Sequence, residues 1–139
     1  MSVKYIGAAG LLAAGLTISS ANAETYICKV KTDAHDRGWI SETIAVNVND
    51  KTGDILVSDG LILNIYKKPI LATLVVNTDK RLTIKWEVNG LKTDRNVTVP
   101  RFFYRITILK ARGNKAIVKA YAAGYSGDLG ASGKCVLRK

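Results

Sequence analysis

The only histidine, His35, stands between Asp33 and Asp36 in Lys-Thr-Asp-Ala-His-Asp-Arg-Gly, where proton transfer or metal binding would first be sought. A Ser-His-Asp or Cys-His nucleophile needs a histidine held rigidly against its partner. This one falls in a polar loop ahead of Trp39, and the spacing of Asp33, His35 and Asp36 matches no defined metal site. Asp50, Thr52 and Asp54 are a fragment of a calcium loop without the remaining ligands or the terminal glutamate, and they read as a turn. Gly124, Gly127, Gly130 and Gly133 recur every third position, and Gly133-Lys134 invites comparison with a phosphate loop. That loop needs a glycine where Asp128 stands and Ser or Thr where Cys135 stands. The glycines therefore read as a flexible connection into a last strand. No catalytic residue, metal site or cofactor is expected, so the chain is read as a non-enzyme.

The two cysteines have a different use. Residues 1–23 combine a short basic start, an apolar run from Ile6 to Ile18 and Ala21-Asn22-Ala23, the pattern of a cleaved signal peptide. The mature domain is then 24–139, without a transmembrane segment, in the periplasm of a bacterium or secreted from it. Losing Lys4 alone among the charges takes the net charge from +10 to +9. In an oxidising compartment Cys28 and Cys135, near the two ends of that domain, form one disulfide. The loop it closes, about 108 residues, is worth on the order of 4 to 5 kcal/mol in the chain-entropy model.

The elements that must position any site are strands. Leu82, Ile84, Trp86 and Val88 alternate with Arg81, Thr83, Lys85 and Glu87, which places apolar groups on one face and polar ones on the other. Residues 43–48 and 101–108 alternate in the same way. Residues 26–31, 55–58, 70–76, 116–122 and 134–137 complete about eight runs separated by hairpin-type turns. The nearly continuous apolar run Ile70–Val76 suggests a strand less exposed than its neighbours. Residues 61–66 suit a short helix or irregular cap over an open end. A 28–135 bridge requires the first and last strands to be neighbours, with Cα atoms within about 7 Å. The expected fold is therefore an all-β, small antiparallel up-and-down barrel, with a two-sheet sandwich as the alternative.

Charge is divided unevenly along the chain. Residues 24–79 hold 6 basic and 8 acidic side chains, whereas residues 80–139 hold 14 basic and 3 acidic. If both apolar faces of the 81–88 and 97–110 strands point inward, a register in which opposed residue numbers add to 186 sets Lys85 against Arg101, Thr83 against Phe103 and Arg81 against Arg105. Like charges opposed on a sheet are destabilising, and arginine beside an aromatic suits an anionic group. The expected anion- or partner-binding set is Arg81, Lys85, Arg101, Phe103, Arg105 and Lys119. This set points to a binding module for an anionic envelope polymer or an acidic protein, with no nucleic-acid partner expected. Two other functions fit the architecture: a carrier of a small apolar ligand inside the barrel, and a periplasmic hydrolase inhibitor. Small disulfide-bonded barrels that inhibit lysozymes share the layout, but no motif here matches theirs.

Overall fold

The computed structural model describes residues 23–139, so the expected targeting segment, except for its last residue, lies outside the described residues. The alternating runs form eight strands: β1 (Ala23–Thr32), β2 (Thr43–Asn49), β3 (Ile55–Asp59), β4 (Ile70–Asn77), β5 (Arg81–Lys92), β6 (Thr98–Leu109), β7 (Lys115–Ala122) and β8 (Leu129–Arg138). Each pairs antiparallel with the next, and β8 returns to β1, closing the barrel. Cys28 lies directly opposite Cys135 at that seam and is bonded to it, with the Cα atoms 3.8 Å apart. The bridge thus locks the two strands whose pairing removes the sheet's free edges.

The inward faces merge into one apolar cluster. Its bulk comes from Trp86 on β5 and Phe102, Tyr104, Ile106 and Ile108 on β6, whereas β7 and β8 contribute Ala116, Val118, Ala120 and Ala131. Trp86 stacks on Tyr104, and Phe102 stacks on Trp39 from the β1–β2 loop. The Tyr104 hydroxyl donates to the Trp39 carbonyl at 2.7 Å, which ties that loop across the barrel end. The 61–66 run is a helix, α1 (Gly60–Tyr66). Asp59 caps it by accepting from the Ile62 amide at 2.8 Å, and the helix stops at Lys67 in the left-handed region, two residues before Pro69. Ile62 is fully buried and Leu61, Ile65 and Tyr66 pack against the core, so α1 covers the same end.

Three local expectations are corrected. The β5–β6 register adds to 190, not 186: Lys85 faces Arg105, Glu87 faces Phe103, Asn89 faces Arg101 and Arg81 faces Leu109. The alternation runs on through Leu91 and Val99 to a tight turn at 93–97, with Pro100 kept inside β6 opposite Gly90, whose φ is +80°. The offset is an even number of residues, so inward and outward faces are unchanged. Second, β4 has no buried residue, and Leu71 is 66% exposed. A single-layer barrel gives each strand only one covered face, so a continuous apolar run here leaves its other half in solvent. Third, the last strand begins at Leu129, and Gly130 and Gly133 belong to it rather than to a flexible connection. A Cβ on Gly133 would stand 1.8 Å from the Lys29 carbonyl oxygen, so the closeness of β8 to β1 requires a glycine there.

Candidate functional site

Strand order and register put three cations in one row on the outer wall. Thr73 on β4 faces Lys85 on β5, Lys85 faces Arg105 on β6, Arg105 faces Lys119 on β7, and Lys119 faces Gly130 on β8. Directly opposed residues on antiparallel strands have Cβ atoms roughly 5 Å apart, a distance at which like charges repel. All three cations are exposed. Gly130 gives the Lys119 side chain room to lie over β8, and a Cβ there would be 3.6 Å from the Lys119 Nζ. Gly130 is in turn held by Asp36, whose carboxylate accepts from its amide at 3.2 Å.

One step along the strands runs a second row, Glu87, Phe103 and Tyr121. Phe103 and Tyr121 pack with ring centroids 5.1 Å apart, and the Arg101 guanidinium lies over Phe103 at 5.0 Å. Arg101 also hydrogen-bonds and ion-pairs with Glu87, which holds that carboxyl below the usual carboxylate range. This is the one ion pair among the described residues, so none of Lys85, Arg105 and Lys119 has a carboxylate in contact with it. The two rows, together with Asp128, line a groove of about 620 Å³.

Of the six expected contact residues, Lys85, Phe103, Arg105 and Lys119 line this groove. Arg101 belongs to its aromatic edge but is engaged by Glu87. Arg81 is not brought to it: it lies four residues along β5, opposite Leu109, where its amide donates to Thr78 Oγ1 in the β4–β5 turn. Tyr121 was missed because its phase against Phe103 depends on the β6–β7 register. A second cationic row was also missed, with Lys29, Lys134 and Lys115 consecutive across β1, β8 and β7. Its signal lay in the cysteines: if Cys28 opposes Cys135 in an antiparallel pair, Lys29 opposes Lys134.

His35 is exposed in a short 3-10 turn at Ala34–Asp36, and Asp36 is used to hold Gly130. Among the described residues no three His, Cys, Asp or Glu side chains gather into a metal-binding group, and no helix is long and apolar enough to cross a membrane. Comparisons with protein-family models, with curated proteins and with solved structures each find no match to this chain.

Proposed function

We propose that the protein is an exported bacterial, non-catalytic binding module that docks onto an anionic component of the cell envelope through the outer face of β5, β6 and β7. The observation that carries this reading is the Lys85–Arg105–Lys119 row, in which none of the three cations is ion-paired. Three cations on adjacent strands, with the barrel's one described ion pair placed beside them rather than among them, cost stability unless an anion occupies the row. Phosphate or carboxylate groups suit it, because Arg105 offers a planar fork and the lysines flank it as mobile point charges. The disulfide fits an oxidising compartment. An outer-wall site is favoured over a carrier's interior because the inward side chains form a single packed cluster and the groove is on the outside.

The test is retention on an anionic matrix at moderate salt. Arg105→Glu combined with Lys119→Glu is expected to elute near the void, while Arg101→Ala, which removes a cation already paired with Glu87, retains most of the binding. Unchanged retention of the double variant would overturn the proposal.

A further inference from the structure

The cationic row does not stand alone on this wall. On its β4 side, Leu71 lies two residues before Thr73 and faces Leu56 of β3, and both leucines are exposed. Antiparallel pairing puts Leu71 level with Glu87, because Thr73 faces Lys85 and each is two residues farther from that pair. Leu56, Leu71, Glu87, Phe103 and Tyr121 therefore follow one line across β3 to β7, beside the line of Lys85, Arg105 and Lys119; Glu87 is its one charged member, and its carboxylate is paired with Arg101. Isolated exposed leucines are ordinary, but a line that is apolar save for one paired carboxylate, beside a row of cations without ion-pair partners, is an amphipathic surface.

We infer that this wall docks on an anionic lipid bilayer, with Lys85, Arg105 and Lys119 at the headgroup phosphates and Leu56, Leu71 and Tyr121 against the acyl boundary. The inference rests on the binding face proposed above and names its partner. A water-soluble polyanion would satisfy the cations but leave the leucines in water. Charge complementarity sets the lipid sign, and the long lysine stems let the ammonium groups stay at headgroup level while the wall settles toward the acyl chains.

The test compares sedimentation with vesicles of phosphatidylcholine alone and of phosphatidylcholine containing phosphatidylglycerol, using the full mature protein. Binding is expected only to the anionic vesicles, falling about fivefold for each of Lys85, Arg105 and Lys119 changed to Gln. Leu56→Ser with Leu71→Ser, both at exposed positions, is expected to lower vesicle binding about tenfold while leaving retention on a soluble polyanion matrix unchanged. Vesicle binding unaffected by the leucine pair would overturn the lipid assignment while the charged face stands. A solution dimer dissociated by the same pair would also overturn it, giving the apolar line to a second copy of the chain. If the Arg105→Glu, Lys119→Glu variant kept both matrix and vesicle binding, the underlying face would fail as well.

Discussion

Asp59 illustrates how one side chain can stabilise and destabilise at once. Its carboxylate caps α1, but burial pushes its pKa above the usual carboxylate range, an effect only partly offset by hydrogen bonds with the Ile62 and Leu61 amides and with Ser41. The folded protein therefore holds this proton more tightly than the unfolded chain. The residue's contribution to stability consequently falls as pH rises from the ordinary carboxylate pKa through the raised one. Asn at this position keeps the cap acceptor and removes the charge. In urea titrations across the acid-to-neutral range, Asp59→Asn is expected to match the wild type at the acid end and exceed it at neutral pH. Asp59→Ala, lacking a cap, loses about 1 kcal/mol against Asn throughout. A wild type that gained on the Asn variant as pH rose would contradict this assignment. Burial likewise raises the Tyr104 hydroxyl, with the Asp59 charge adding to the effect, so its hydrogen bond to Trp39 persists across the same range.

At the scale of elements, β8 sets the limit on barrel closure. Gly133→Ala brings a methyl group against the Lys29 carbonyl, which belongs to backbone pinned by the neighbouring disulfide and cannot easily give way. A loss of about 3 kcal/mol is expected in denaturant unfolding. Gly130→Ala, whose new methyl would meet the far end of the Lys119 chain and the Val118 carbonyl at ordinary contact distance, is expected to lose less than about 1 kcal/mol. Equal losses at the two glycines would show that β8 does not approach β1 so closely. Gly133 was unreadable as a strand residue because glycine's local preference is for turns, and only the tertiary approach of β1 explains it. The eight strands themselves were legible, since alternation of period two survives wherever one face is covered. Burial on β4 was misread because apolar content cannot tell a strand covered on both faces from one whose second face awaits a partner.

For the whole molecule, the concentration of positive charge in the second half of the chain was visible in the sequence, whereas its arrangement was not. Which cations become neighbours depends on register, and the β5–β6 offset replaced Arg101 with Arg105 as the residue facing Lys85. Closure then adds Lys29 from the first strand to Lys134 and Lys115 from the last two, extending the positive wall across the seam. A surface of this kind should bind by displacing counterions, so its affinity should carry a count of the cations engaged. The most direct measurement is the salt dependence of binding to a soluble inorganic polyphosphate. This is compared between the wild type and the Lys85→Gln, Arg105→Gln, Lys119→Gln triple variant, after circular dichroism shows that both are folded. The log–log slope is expected to be shallower by about two to three in the variant. An identical slope in the two proteins would contradict the assignment of this row as the anion-binding face.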